Sequence, residues 1–169
     1  MDKLNKWVKR VEFLSDKLGT LASFLLIPLM IIAFFEFIAR YLFNSPTIWA
    51  WDINIQLFAV IVVFGGAYNY YHNMHVRVDV LFSLLPRRTQ AIMDVITSGL
   101  VFLTLFTLLI FSTQEAWTAF LIRERSNSVW APPTYPLKAV IQLGIVLFLL
   151  QGIANFLRNI LVILHAKEK

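Results

Sequence analysis

The sequence contains no cysteine. Disulfide frameworks, thiolate metal centres and thiol redox chemistry are thereby excluded, while the compartment stays open. Charge is scarce as well: Asp, Glu, Lys and Arg make up 15% of the 169 residues, where soluble domains carry about a quarter. What fills the chain instead is apolar, with 59% hydrophobic residues and a mean hydropathy of +0.70. A water-soluble domain of this length could not hide that much, because small domains bury only about two-thirds of the surface their chains expose. Lipid is the solvent these numbers imply, so phospholipid is the first expected partner. The net charge of +5 would suggest nucleic acid in a soluble protein. Here the basic residues gather at the ends of apolar runs, which speaks for membrane orientation and against nucleic acid.

Apolar runs extend over about 18–42, 49–71, 91–120 and 137–164. Each meets the roughly 20 residues needed to cross a bilayer, and spans of this kind must be helical because lipid offers no partners to open strand edges. The expected fold class is an all-α integral membrane protein, a single membrane domain over 1–169 with four transmembrane helices. The third run would reach about 45 Å as a helix, against a hydrocarbon core of about 30 Å, so tilt or protrusion is expected. Pro28 should kink the first helix by removing a backbone hydrogen bond. Asn44-Ser45-Pro46 marks a tight turn.

Residues 2–17 carry a separate pattern. Leu4, Trp7, Val8, Val11, Leu14 and Leu18 recur at helical spacing, with Lys3, Lys6, Lys9 and Arg10 largely off that stripe. This predicts an N-terminal amphipathic helix lying in the membrane interface, separated from the first span by a break at Gly19. The alternative is a plain extension of that span. No small-residue cleavage site follows, so the segment reads as retained rather than as a removed signal peptide.

Lysines and arginines set the expected orientation. Eleven of them (Lys3, Lys6, Lys9, Arg10, Lys17, Arg77, Arg87, Arg88, Arg158, Lys167 and Lys169) fall on one side, and four (Arg40, Arg123, Arg125 and Lys138) on the other. The positive-inside rule puts both termini and the 72–90 loop in the cytoplasm. Trp49, Trp51, Trp117, Trp130, Tyr41 and Tyr135 then share the outer edge, as an interfacial aromatic belt would.

Candidate chemistry is sparse. His72 and His75 could share a metal with Asp79 as an oxygen ligand, but Arg77 beside them opposes a cation and no metalloprotease-type acid accompanies the pair. We read HNMHVRVD as a loop at the inner membrane edge. Haem ligation and a serine nucleophile lack suitably placed histidines. No catalytic, metal or cofactor site is therefore expected. Intramembrane polar residues are more informative, since they are costly and face protein or water. Glu36 and Arg40 lie four apart and can pair, while Asp52 and Glu115 approach the same outer level. These residues make either an ion path or an outer polar network, and their clustering at one end favours the network.

Three segments together resemble the small membrane subunit of tripartite ATP-independent periplasmic (TRAP) transporters, the DctQ-like family. They are the stretch from Arg40 through Phe43-Asn44 and Pro46 to Trp49 and Asp52; His75-Val76-Arg77-Val78-Asp79 followed by Leu84-Leu85-Pro86-Arg87-Arg88; and Ala131-Pro132-Pro133-Thr134-Tyr135-Pro136. The resemblance implies a fixed scaffold in the bacterial inner membrane, joined to a large elevator-type permease subunit that carries the substrate and sodium sites. A periplasmic substrate-binding protein would deliver an organic acid such as a C4-dicarboxylate or sialic acid. It also makes Glu36, Arg40, Asn44, Trp49, Asp52, His75, Arg77, Asp79 and Pro133 candidates for structural or subunit contact. The competing reading is a self-sufficient four-helix transporter built around a membrane carboxylate; a membrane enzyme comes third.

Overall fold

The computed structural model describes residues 2–72 and 86–165. His75, Arg77 and Asp79 lie outside the described residues, and so does most of the loop that contains them. The described chain forms five helices: α1 (Asp2–Ser23), α2 (Leu26–Tyr41), α3 (Ala50–Tyr71), α4 (Arg87–Ile122) and α5 (Tyr135–His165). Four stretches are long and apolar enough to cross a membrane: Lys6–Tyr41, Ala50–Tyr71, Ile92–Ile122 and Tyr135–Leu161. The protein is an all-α, multi-pass membrane protein with an amphipathic N-terminal helix.

The first crossing is assembled from two helices. At about 1.5 Å per residue α2 alone reaches about 24 Å, short of a hydrocarbon core of about 30 Å, so the end of α1 must contribute. The joint sits at Phe24-Leu25, and Pro28 explains its position. Proline has no N–H to offer the carbonyl four residues back and its ring crowds that carbonyl. That carbonyl belongs to Phe24, and it accepts instead from the Ile27 N–H at 3.2 Å. Gly19 does not break the helix: α1 runs through it to Ser23.

Gly19 serves packing instead. A Cβ at this position would lie 2.4 Å from Tyr68 Cβ, so its absence lets α1 lie directly on α3. Val11, Ser15, Gly19 and Ala22 form the buried face of α1. The larger members of the apolar stripe behave differently: Leu14 is exposed, and Trp7, Val8 and Leu18 are half-buried. Ser15, Gly19 and Ala22 therefore make most of the helix contact beside Val11, while Trp7, Val8 and Leu18 lie at its margins and Leu14 faces outward; small residues at the contact let backbones approach in lipid.

α3 and α5 form the centre. They run parallel, with Gly144 against Val63, Gly66 against Phe148, and Tyr70 against Phe148 at a ring separation of 5.6 Å. α1, α2 and α4 run antiparallel to them. Asp16 meets His72 and Glu12 meets Arg158, Phe35 stacks on Trp49, and Phe102 lies edge-on to Phe156. Most of the core is small (Ala22, Ala50, Ala67, Ala119, Ala154), whereas Phe34, Leu100, Phe106 and Leu143 on the outside are about two-thirds exposed or close to it. That inversion fits a lipid solvent.

Candidate functional site

The two ends of the bundle differ. At one end, called the turn end here, residues 42–49 and 123–134 connect helices; at the other, the terminal end, α3 and α5 finish beside α1. Six of the sequence candidates gather at the turn end.

Glu36 is the hub of the α2–α3 turn. Its Oε1 accepts from Arg40 Nη2 at 2.6 Å and Nε at 3.1 Å, one helical turn on. Its Oε2 accepts from the Thr47 hydroxyl at 2.5 Å and the Thr47 N–H at 3.1 Å. The Thr47 hydroxyl oxygen in turn accepts from the Ala50 N–H, satisfying one of the donors that a helix start leaves free. Asn44 makes the reversal possible. It takes φ 50°, a left-handed conformation that asparagine tolerates better than most side chains. Trp49, the residue before α3, stacks on Phe35 at 6.0 Å and closes the turn against α2. Arg40 is half exposed, so solvent screening leaves the pair itself little to contribute. The two Thr47 bonds hold the other carboxylate oxygen, separately from Arg40.

Asp52 stands apart from this cluster, contrary to the single outer network the sequence suggested. It sits in the first turn of α3, 7% exposed, with Oδ1 accepting from the Ser126 hydroxyl at 3.1 Å. Oδ2 is enclosed with no hydrogen-bond partner among the described residues. The positive end of the α3 dipole offsets part of the cost of that charge. The physical reason for the split is direction: Asp52 is bound by the α4–α5 loop, Glu36 by its own turn. Ser126 also receives the Ser128 N–H, and its own N–H donates to the Pro132 carbonyl, so Asp52 anchors a folded loop. Pro133 lies at the base of that loop, exposed, bridged in antiparallel fashion to Arg125.

Glu115 belongs to a third group. Lys138 donates to Glu124 at 2.6 Å and to Glu115 at 3.3 Å, tying the end of α4 to the start of α5. Deeper, Gln142 accepts from Ser112 at 2.5 Å and donates to Thr113 at 2.6 Å. Towards the terminal end Ser15 donates to Gln151 at 2.8 Å, Gln151 to Asn155 at 3.0 Å, and Asn155 to the Tyr70 carbonyl at 2.8 Å. That relay joins α1, α5 and α3, and Ser15 and Gln151 are fully buried. Sequence reasoning missed Thr47, Ser126 and these glutamines. The signal was available for Gln142, Gln151 and Asn155, since an amide in an apolar run needs a partner on another helix; Ser126 shows nothing in sequence.

What these groups do chemically is hold helices and turns together. Among the described residues no cluster of three His, Asp or Glu side chains could hold a metal ion. The class defined is a multi-pass helical membrane protein whose hydrogen-bonded polar groups tie its own helices and turns together. The chain belongs to the DctQ component family of tripartite ATP-independent periplasmic transporters, whose sequence profile matches residues 29–162. It is also similar to the C4-dicarboxylate TRAP transporter small permease protein DctQ of Vibrio cholerae serotype O1, with 28% identity over 121 residues. That alignment covers 71% of this chain and 51% of the relative, so the chain spans about half the length of the curated protein it matches.

Proposed function

We propose that this chain is the fixed scaffold of a sodium-coupled TRAP transporter in the bacterial inner membrane. It supports a large elevator-type permease subunit that receives an organic acid, such as a C4-dicarboxylate or sialic acid, from a periplasmic binding protein. It performs no covalent chemistry itself. The family match over most of the chain carries this reading. The geometry supports it in one respect: Glu36, the acid on which a self-sufficient transporter would depend, is engaged by Arg40 and Thr47 near a helix end. Secondary transporters place broken helices around a midplane site; among the described residues the one break within a crossing, at Phe24-Leu25, has no polar group beside it on its own helices but Ser23, which bonds back to the Thr20 carbonyl. The scaffold reading is tested by affinity purification. A tagged copy extracted in mild detergent should bring down the large subunit in a defined ratio, and recovery of the chain alone from cells expressing both would overturn it.

The eleven-to-four distribution of basic residues supports cytoplasmic termini and a periplasmic turn end. With no native cysteine, single ones report cleanly. Cysteine at Val129, 86% exposed at the loop tip, should react with an impermeant thiol reagent added to the periplasmic side. Cysteine at the exposed Lys6 position should react only after the membrane is opened. The reverse pattern would invert the topology.

A further inference from the structure

α1 has two faces that do different work. Val11, Ser15, Gly19 and Ala22 pack into the bundle. The acids Glu12 and Asp16 flank that face and bind Arg158 and His72 at 3.5 and 2.9 Å. At 100° per residue, Lys6, Lys9, Arg10, Phe13 and Lys17 fall on the opposite face, turned away from the other described helices. Lys6, Lys9 and Arg10 are exposed, with no acidic partner among the described residues. Lys17 lies over the Phe13 ring at 5.2 Å. Beside them is a shallow, open groove of about 480 Å³ with an almost wholly apolar lining, made by Phe13, Leu14 and the aliphatic stems of Lys9 and Arg10.

The order of chemistry along this groove is directional. α1 runs from the terminal end into the first crossing, because Asp16 meets His72 and Gly19 meets Tyr68, the last turn of α3. Lys9 and Arg10 therefore sit one turn, about 6 Å, further from the membrane centre than Phe13 and Leu14. Cations at the outer level and apolar side chains one turn deeper match one molecule in this setting: a phospholipid with an anionic headgroup and an acyl chain running inward. Arginine and lysine bind phosphate oxygens directly, while Phe13 and Leu14, more than two-fifths exposed, gain cover from the chain. We propose that this groove is a binding site for an anionic phospholipid of the leaflet at the terminal end, fixing the depth of α1 in that leaflet. The inference rests on the bundle spanning a membrane and not on the transporter reading, so its failure would leave that reading untouched.

The test uses the full chain in neutral detergent and native mass spectrometry, with phosphatidylglycerol and phosphatidylcholine of matched acyl chains in equal amounts. Phosphatidylglycerol should be retained preferentially. K9Q/R10Q should lose that preference by about thirty-fold, from the usual contribution of two basic residues at an anionic surface. K9R/R10K should keep it, which separates loss of charge from loss of fold. R123Q/R125Q removes equal charge at the turn end and should also keep it. Excess inorganic phosphate should not displace the lipid. Equal retention of the two lipids, an unchanged K9Q/R10Q variant, an equal loss in R123Q/R125Q, or displacement by phosphate would each overturn the site.

Discussion

Leucine at Gly19 is expected to detach α1 from the bundle. The first side-chain carbon would lie 2.4 Å from Tyr68 Cβ, 2.7 Å from Cγ and 2.8 Å from Cδ2. Tyr68 Cβ is fixed to the α3 backbone, so no rotamer relieves the clash and one helix must move. Overpacking of this kind costs about 1–3 kcal/mol, occasionally more. Here the displacement would also pull Ser15 from Gln151 and Asp16 from His72, placing the total at the upper end or above. Purified Gly19→Leu should melt well below wild type in detergent. Gly19→Ala should show much of the same loss, because the clash begins at Cβ. Gly99 supplies the control: a Cβ there meets nothing within 4 Å, and Gly99→Ala should be neutral or stabilise by up to about 1 kcal/mol, the ordinary helix-propensity gain. Equal melting of the Gly19 and Gly99 variants would remove the close α1–α3 contact from the account.

Gln151→Leu should have the next largest effect. The substitution keeps approximate volume and removes both hydrogen-bonding functions of a fully buried side chain. Ser15 then has no acceptor and Asn155 Oδ1 no donor from Gln151. Interhelical hydrogen bonds in membranes average about 0.6 kcal/mol and reach about 1.7, whereas each buried polar group left unsatisfied costs about 1–3 kcal/mol. Stranding two groups should therefore destabilise by about 2–6 kcal/mol, beyond the worth of the bonds themselves. The asymmetry can be read out directly. Ser15→Ala on the Gln151→Leu background removes one stranded hydroxyl, so the double variant should melt higher than Gln151→Leu alone. If the two losses simply add, the relay does not couple α1 to α5.

These two variants mark what could and could not be read from residues alone. The four crossings were legible because length and hydropathy decide them in lipid. The joint in the first crossing was legible as a kink from Pro28, and the Glu36–Arg40 pair from its four-residue spacing. The packing face of α1 was not. Apolar periodicity placed Leu4, Trp7, Val8, Val11, Leu14 and Leu18 on one stripe facing the interface, whereas the buried face is Val11, Ser15, Gly19 and Ala22 and shares only Val11 with it. The rule that bulky apolar residues turn inward holds in water; in lipid they gain nothing by burial and close backbone approach wins. Gly19 was misread for the same reason, as a helix breaker when its role is contact. Asp52 was placed at the correct end but with the wrong partner, since its alignment with Ser126 depends on how a distant loop folds back across 74 positions.

Dependence on a partner subunit is the centre of the account, and uptake by proteoliposomes tests it most directly. The purified chain would be reconstituted with an imposed sodium gradient, a panel of labelled organic acids including C4-dicarboxylates and sialic acid, and the cognate binding protein, with and without the large subunit. The expected result is no accumulation above empty vesicles for the chain alone and accumulation once the large subunit is present. Sodium-driven accumulation by the chain alone would contradict the scaffold reading.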